Sequence, residues 1–190
     1  MKETLKNLAK AFVGESQARN RYTFYARVAQ KEGYEQIGAI FLETADQEKR
    51  HAKTLFEFIQ ELKEDGNDIA IDAGIPTIYQ TTKENLAAAI AGENHEYSSM
   101  YPSFAEVADK EGYSKIADTM RAIAKAEEHH EQRYKKLLEN LNNNSVFKKS
   151  SGVFWICREC GYIHFGPEAP QECPSCKHPQ AFFQIQSENY

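Results

Sequence analysis

Apolar side chains recur every three to four residues along four stretches of the chain, which is the spacing of one face of an α-helix. Each stretch covers about 25 residues, so each helix would be roughly 40 Å long. The pattern therefore predicts an all-α four-helix bundle. The four apolar stripes run from Leu5 to Ala29, from Ile37 to Leu62, from Leu86 to Val107 and from Ile116 to Leu141.

The connections between the stripes predict how the helices pack. The sequence KEGY follows the first stripe at residues 31–34 and the third at residues 110–113, and its glycine is a typical helix stop. Such short turns make the two members of each pair antiparallel neighbours. Residues 65–82 form a longer connection between the second and third helices. The predicted topology is two helical hairpins joined by one long crossover.

The two hairpins are related by an internal repeat with one irregularity. Residues 14–34, GESQARNRYTFYARVAQKEGY, match residues 92–113, GENHEYSSMYPSFAEVADKEGY, but the second copy is one residue longer. The registers agree on both sides of the interval from Glu93 to Tyr101, so the extra residue falls within it. A helix commonly absorbs one inserted residue as a single wide turn, and Pro102 removes a helical hydrogen bond beside it. We expect a wide turn near residues 96–102.

Carboxylates and imidazoles interrupt all four apolar stripes at positions that face the predicted core. The second and fourth helices each carry a Glu-x-x-His pair, whose members lie on one face and present an oxygen and a nitrogen ligand together. A glutamate on each of two helices and such a pair on the other two is typical of ferritin-like di-metal bundles. These positions are Glu15 on the first helix, Glu48 and His51 on the second, Glu93 and Glu96 on the third, and Glu127 and His130 on the fourth.

A surface role is the simplest alternative for any one of these residues. Glu15, for example, has Arg19 one turn later and could form a surface ion pair. Several ionised carboxylates in one core without a counter-charge, however, would each cost several kcal/mol. Two divalent cations would neutralise four carboxylates, and the mixture with imidazole favours iron or manganese over zinc or copper.

The repeat predicts a role for each ligand of the two metal ions. The first residue of each Glu-x-x-His pair would bridge the ions, the histidines would each cap one ion, and the glutamates of the other two helices would be terminal. The bridging residues are then Glu48 and Glu127, the capping residues His51 and His130, and the terminal residues Glu15 and Glu93.

All four cysteines lie near the C-terminus as two Cys-x-x-Cys pairs. In a reducing compartment such pairs indicate a metal site rather than disulfides. Iron and zinc both accept four thiolates, and the spacing alone leaves both open. The sequences CRECGY and CPSC, with Trp155 and nearby phenylalanines, resemble rubredoxin, whose single iron carries one electron. The ligands would be Cys157, Cys160, Cys173 and Cys176.

A change in composition divides the chain into two predicted domains. The C-terminal part contains the only tryptophan and most of the prolines, and a polar stretch rich in turn formers precedes it. We predict a ferritin-like domain at residues 1–145, a linker at residues 146–152 and a small rubredoxin-like metal-binding domain at residues 153–190.

Charge and hydropathy exclude several classes of partner. The net charge of −5, with basic and acidic residues interspersed, argues against nucleic acid. No apolar run is long enough to span a bilayer, so no membrane contact is expected, and the N-terminal sequence MKETLKNLAK lacks the apolar core of a signal peptide. We expect a cytoplasmic protein.

The bundle and cysteine motifs together resemble the rubrerythrin family over essentially the whole chain. The resemblance implies a peroxidase that reduces hydrogen peroxide to water, with two non-haem iron ions in the bundle and one iron in the four-cysteine site. It also implies electron delivery from a reduced pyridine nucleotide through a separate rubredoxin or reductase. Members are homodimers or larger, with the rubredoxin-like domain of one subunit near the di-iron site of another. Zinc could replace iron in either site.

Glu96 is a fifth carboxylate, and the first repeat has Ala18 at the equivalent place. The negative charge of four carboxylates balances the charge of two ferrous ions, whereas the higher charge of two ferric ions favours a fifth carboxylate. The resemblance implies that one iron exchanges a histidine for this glutamate on oxidation, so His51 would serve the ferrous state and Glu96 the ferric state. Tyr22 and Tyr101 lie about two turns after the first glutamate of each repeat, and we expect each hydroxyl to bond a carboxylate.

Two other functions fit parts of the pattern. A ferroxidase or iron-storage protein would share the ferritin-like bundle, but storage does not need a four-thiolate domain, which favours a cycle that returns electrons. A zinc-ribbon scaffold with a metal-binding bundle would have no enzymatic activity and would be colourless.

Overall fold

The computed structural model describes residues 2–64 and 66–188. Residue 65, the first of the predicted crossover, and residues 1, 189 and 190, at the ends of the predicted domains, lie outside the described residues. The bundle predicted from the apolar stripes is confirmed. Its elements are α1 (Glu3–Lys31), α2 (Glu35–Leu62), α3 (Thr82–His95), a π-helix (Glu96–Met100), α4 (Tyr101–Lys110) and α5 (Ser114–Asn142).

The two KEGY turns adopt the same backbone conformation. Gly33 and Gly112 have φ values of 84° and 86°, in the left-handed region that glycine enters without strain. The N–H of Tyr34 donates to the carbonyl of Ala29, and the N–H of Tyr113 donates to its counterpart in the second turn, both at 2.8 Å. Each hairpin therefore closes as a helix ending with a glycine cap, as the sequence predicts.

The crossover between α2 and α3 has no helix or strand among its described residues. The hydroxyl of Tyr25 donates to the carbonyl of Ile78 at 2.7 Å and fixes the crossover against α1. A capping box then starts α3, because the Thr81 side chain accepts from the N–H of Glu84 while the Glu84 carboxylate accepts from the N–H of Thr81. Within the described part of the chain, no helix is long and apolar enough to cross a membrane.

The C-terminal domain is a three-stranded antiparallel sheet in the order β2-β1-β3. Its strands are β1 (Lys148–Cys157), β2 (Ile163–Glu168) and β3 (Phe183–Ile185). Trp155 is fully buried, and its indole N–H donates to the carbonyl of Gly166 at 3.0 Å. Strand β1 begins inside the stretch 146–152 that was predicted as a linker, so most of that stretch is part of the sheet.

The small domain contacts the end of the bundle that carries the first KEGY turn. The ring of Phe147 stacks on that of Tyr34 with centroids 6.2 Å apart and planes 10° apart. Ala181 lies against Gly33, where a Cβ atom would be 3.8 Å from the Ala181 methyl group. The four-cysteine domain is thus held at the bundle end, away from the middle of the helices.

Candidate metal centres

A band of polar side chains crosses the middle of the bundle and separates two apolar clusters. One cluster includes Leu8, Leu55 and Met120, and the other includes Tyr22 and Phe41. The helices continue through the band without a break in α1, α2 and α5, so the sequence gaps in the apolar stripes become one internal layer. The predicted residues in this layer are Glu15, Glu48, His51, Glu93, Glu127 and His130, all buried except His51, whose side chain is 15% exposed.

The structure brings these side chains into two overlapping groups, each able to hold one metal ion. Within each group, the ligand atoms lie within 4.8 Å of one another. Glu48 and Glu127 belong to both groups, as expected of carboxylates that bridge two ions. The first group adds Glu15 and His51, and the second adds Glu93 and His130.

Each shared carboxylate turns one oxygen to each imidazole. The Nδ1 atom of His51 is 3.0 Å from Oε2 of Glu48 and 2.9 Å from Oε1 of Glu127. The Nδ1 atom of His130 is 3.1 Å from Oε1 of Glu48 and 2.7 Å from Oε2 of Glu127. The two groups are therefore related by the same approximate symmetry as the sequence repeat.

Unsatisfied oxygens show that this layer fits cations. The Oε2 atoms of Glu15 and Glu93 are buried without a hydrogen-bond partner among the described residues, and the Nδ1 atoms of His51 and His130 lie 3.9 and 3.6 Å from them. Orphaned carboxylate oxygens are costly in a core unless a positive charge compensates them. Two hard cations with carboxylate and imidazole ligands would satisfy all four residues.

Burial and the charges in the layer shift the pKa values of two glutamates and of both histidines. Burial raises the pKa of Glu93 to about 8 against the hydrogen bond from His130, and the charges of Glu48 and Glu127 add to the rise. Burial lowers the pKa of His51, but the carboxylates of Glu127 and Glu48 outweigh it and raise that pKa to about 9. The same balance raises the pKa of His130 to about 12. Burial opposes ionisation of Glu127, but hydrogen bonds from His130 and His51 outweigh it and lower that pKa to about 2. The layer therefore favours protonated imidazoles beside an ionised Glu127.

Each of the two predicted tyrosines bonds a glutamate, predicted to be a terminal ligand, from the other half of the repeat. The hydroxyl of Tyr22 donates to Glu93, and the hydroxyl of Tyr101 donates to Glu15. Both tyrosines are fully buried. The predicted hydrogen bond to a carboxylate is confirmed, and the structure adds that the bonds connect opposite hairpins.

The predicted wide turn is confirmed as a π-helix from Glu96 to Met100. The N–H of Tyr101 donates to the carbonyl of Glu96, five residues earlier, which accommodates the extra residue. Pro102 follows at once, where its missing N–H breaks the α-helical pattern. The irregularity in the repeat therefore lies at the residue predicted to be the fifth carboxylate.

Glu96 lies beside the two groups, and neither group includes it among the described residues. Its side chain is half-buried and points towards α1, with Oε1 4.0 Å from the position that a Cβ on Gly14 would occupy. Burial and then the charges of Glu93 and Glu127 raise its pKa well above the usual range. Glu96 is thus close enough for its carboxyl group to interact electrostatically with Glu93 and Glu127, but it does not lie at a ligand position.

The four cysteines form a second site, which fits a tetrahedral metal ion. The Sγ atoms of Cys157 and Cys176 are 3.7 Å apart, and those of Cys160 and Cys173 are 3.6 Å apart. A tetrahedron with metal–sulfur bonds of about 2.3 Å has edges of roughly 3.8 Å. All four are free thiols, and the backbone N–H of Tyr162 lowers the pKa of Cys160 to about 6.

Positive φ values shape the two loops that hold the thiols. Gly161 and Lys177, each directly after a Cys-x-x-Cys pair, have φ values of 76° and 64°. The N–H of Gly161 and the N–H of Lys177 each donate to the carbonyl of the first cysteine of their pair at 2.9 Å. The two loops are thus built alike and converge on one point.

A cluster of Asn94, Tyr97 and Glu131 beside the metal layer was not found from the sequence. Glu131 is 3% exposed, and its carboxylate accepts a hydrogen bond from the side-chain amide of Asn94 at 3.0 Å. Its spacing of one turn after Glu127 could have indicated an inward position. Its partners on another helix could not be identified from that spacing.

Comparison with known proteins was consistent with both metal centres. Residues 6–138 match the rubrerythrin family, and residues 155–184 match the rubredoxin-like domain of rubrerythrin. Rubrerythrin-1 of Clostridium acetobutylicum is 53% identical over 188 residues, which cover 99% of this chain and 96% of the relative.

Solved structures support the same fold. A structure of nigerythrin in a partially reduced state has a TM-score of 0.66 and 33% identity, covering 98% of this chain and 88% of that one. The bacterioferritin BfrA of Mycobacterium tuberculosis has a TM-score of 0.66 at 22% identity and covers 75% of this chain and 90% of that one, which shows the ferritin-like fold alone.

Proposed function

The chain belongs to the rubrerythrin family, and on this premise we propose that it is a peroxidase that reduces hydrogen peroxide to water. The observation that carries the proposal is the presence in one chain of a buried site for two ions and a site of four thiolates. Hydrogen peroxide takes up two electrons and two protons as its O–O bond breaks and two water molecules form. A pair of ions suits a two-electron step, and a four-thiolate iron returns electrons one at a time.

We propose iron in both centres. Two ferrous ions held in the bundle would supply the two electrons for cleavage of the peroxide bond. Glu48 and Glu127 would be the ligands shared by both ions, and Glu96 would add negative charge in the oxidised state. The remaining ligands are terminal Glu15 and Glu93, capping His51 and His130, and the four thiolates of Cys157, Cys160, Cys173 and Cys176.

The protein contributes orientation, access and exclusion of water. The hydroxyls of Tyr22 and Tyr101 hold the two terminal glutamates. The apolar clusters on both sides of the polar layer close it from the ends of the bundle. His51 is the most exposed of the six residues in the two groups, so a small neutral peroxide would enter from its side.

The position of the small domain supports transfer between subunits. It contacts the bundle at Tyr34, and Glu48 lies 14 residues further along the same chain, or about 20 Å along the helix axis. Electron transfer slows steeply with distance. We propose a homodimer or larger assembly in which a second copy brings its four-cysteine site nearer, with a rubredoxin or reductase as the external donor. The reduced thiols suit the cytoplasm.

The absorption spectrum of the purified protein tests the proposal. We expect a ferric thiolate band that bleaches with reductant under anaerobic conditions and returns when hydrogen peroxide is added. The double variant Glu48→Gln, Glu127→Gln keeps the four cysteines and should lose the rapid return of colour. A colourless protein would indicate a zinc scaffold instead. Consumption of dioxygen in preference to peroxide would indicate a ferroxidase.

A further inference from the structure

The start of the π-helix is tied to α5 by three side chains, Asn94, Tyr97 and Glu131, which we call the α5 clamp. The amide of Asn94 donates to Oε1 of Glu131 at 3.0 Å and to the hydroxyl of Tyr97 at 3.1 Å. The Tyr97 hydroxyl in turn lies 3.5 Å from Oε2 of Glu131. Both oxygens of the Glu131 carboxylate therefore face the α3 and π-helix segment.

The metal centres do not account for the burial of Glu131. Neither group of metal-ligating side chains among the described residues includes it. Its charge is balanced from the surface by Lys135, whose Nζ lies 2.7 Å from Oε1. A buried carboxylate costs stability unless donors satisfy it. Among the described residues, the other donors to Glu131 are Asn94 and Tyr97, so we assign Glu131 a role in fixing the α3 and π-helix segment.

Two clamp residues flank Glu96 in the sequence, and none of the clamp hydrogen bonds involves the Glu96 side chain. Asn94 precedes Glu96 by two residues and Tyr97 follows it directly. Successive residues of a helix point about 100° apart, so Tyr97 can face α5 while Glu96 faces α1 near Gly14. The hydroxyl of Ser98 also donates to the carbonyl of Asn94 at 2.6 Å, which supports the backbone where the wide turn begins.

The first repeat has no such clamp. The residues equivalent to Asn94, Tyr97 and Glu131 are Ser16, Arg19 and Ala52, from the offsets that align Glu15 with Glu93 and Glu48 with Glu127. The clamp, the inserted residue and the fifth carboxylate therefore occur together, in one copy of the repeat.

We propose that the α5 clamp is a positioning device for Glu96: it fixes the register of the π-helix and so holds the Glu96 side chain beside the metal layer. Hydrogen–deuterium exchange of the zinc-loaded full-length protein tests this without any redox chemistry. Tyr97→Phe and Glu131→Leu should each raise exchange of the amides at 96–101 by about fivefold, the effect of one lost hydrogen bond. Glu131→Gln retains an acceptor and should restore exchange nearly to that of the parent.

The control is Tyr79→Phe, which removes the hydroxyl of an exposed tyrosine in the crossover. It should leave exchange of the amides at 96–101 unchanged. Unchanged exchange in Tyr97→Phe, or an equal rise throughout α1, α2 and α5, would overturn the proposal. Tyr97→Phe keeps the aromatic ring, so it decides the outcome if Glu131→Leu does not fold.

A second arm rests on the proposed peroxidase function. In the otherwise unchanged protein, Tyr97→Phe should lower kcat for hydrogen peroxide with little change in KM. In a protein that already carries Glu96→Ala, the same substitution should have no further effect on kcat. Equal effects in both backgrounds would overturn a role through Glu96. Absence of turnover in every variant, including the parent, would overturn the proposed function, and the exchange result would then decide the role of the clamp by itself.

Discussion

The hydroxyl of Tyr101 donates a hydrogen bond to the carboxylate of Glu15, a residue from the opposite half of the internal repeat. Tyr22 and Glu93 form the reciprocal bond. Burial and the neighbouring carboxylates raise the pKa of both tyrosines well above the usual range, so the hydroxyls remain protonated donors at neutral pH. The two hairpins therefore build one site together, with a tyrosine of each half orienting a glutamate of the other.

Removal of the Tyr101 hydroxyl should affect both stability and metal binding. Tyr101→Phe deprives Glu15 of its donor, and we expect the free energy of unfolding to fall by about 1 kcal/mol. We also expect weaker binding of a divalent metal such as zinc at the bundle site. Tyr25→Phe is the control, because it removes a hydroxyl that bonds the crossover carbonyl of Ile78. Thermal unfolding and metal titration check the pair, and equal metal affinity in both variants would contradict a role for Tyr101 in orienting Glu15.

The metal-free protein should lose stability as the pH rises. The pKa of His51 is raised from 6.5 to about 9 in the fold, where the carboxylates outweigh burial. That of Glu93 is raised from 4.5 to about 8, with burial as the main cause. In both cases the folded state binds more protons than the unfolded state, so stability present below the unfolded pKa is lost as the pH rises through the folded pKa. The melting temperature should fall between about pH 4.5 and pH 9, first through Glu93 and then through His51.

Metal binding should flatten this pH profile and release protons, because cations replace the protons in the layer. Thermal unfolding with and without zinc across the pH range measures the difference. His51→Gln should reduce the slope for the metal-free protein, whereas His129→Gln, at an exposed neighbouring position, should not. A rise in stability of the metal-free protein towards pH 9 would show that the layer is not the dominant titrating element.

Glu96→Ala should separate metal loading from turnover. The four carboxylates of the two groups remain, so loading with two ferrous ions should be mostly intact. Peroxide turnover should slow, because the fifth carboxylate is needed only for the more highly charged oxidised state. Glu106→Ala, an exposed glutamate on the following helix, is the control. Unchanged turnover in Glu96→Ala would refute the charge-balance hypothesis.

Local sequence signals predicted most of the fold and both metal centres. The helical periodicity and the KEGY turns are set by nearby residues, and so are the Glu-x-x-His and Cys-x-x-Cys pairs, whose members are one turn or one loop apart. The extra residue before Tyr101 predicted the π-helix because the first copy of the repeat lacks it, which shows where the second copy is longer. These features need no knowledge of how the hairpins pack.

The features that the sequence did not predict depend on contacts between distant segments. Glu131 bonds Asn94 on α3, and neither residue has a local signal that identifies the other. The assignment of each tyrosine to the glutamate of the opposite repeat likewise requires the packed bundle. Strand β1 starts at Lys148, where it pairs with Glu168 of β2, although the polar composition of this stretch is typical of a linker.

The four-cysteine site should be separable from the bundle site. Cys160→Ser should remove the visible thiolate absorption and one equivalent of metal, while the bundle keeps its two ions. Peroxide turnover driven by a protein donor should be lost, whereas a single turnover of protein reduced in advance by a small chemical reductant should persist. Ser151→Ala, an exposed position of β1, is the control. Loss of the bundle metals in Cys160→Ser would show that the two centres fold as one unit.

Deletion of Ser99 should convert the second repeat into the geometry of the first. Glu93 and Tyr101 are eight residues apart, whereas Glu15 and Tyr22 are seven apart, so the deletion restores regular α-helical spacing across the interval. The register on both sides is retained, and we expect a folded protein that still binds two ions in the bundle.

The same deletion removes the wide turn that begins at Glu96, so its turnover should fall to the level of Glu96→Ala although the glutamate is still present. Deletion of Gly74, whose surroundings in the crossover are open, is the control and should leave turnover unchanged. Metal stoichiometry, circular dichroism and peroxide kinetics together test the expectation. Normal turnover without Ser99 would mean that Glu96 acts equally well from an unbroken α-helix, and that the π-helix is not required for its role.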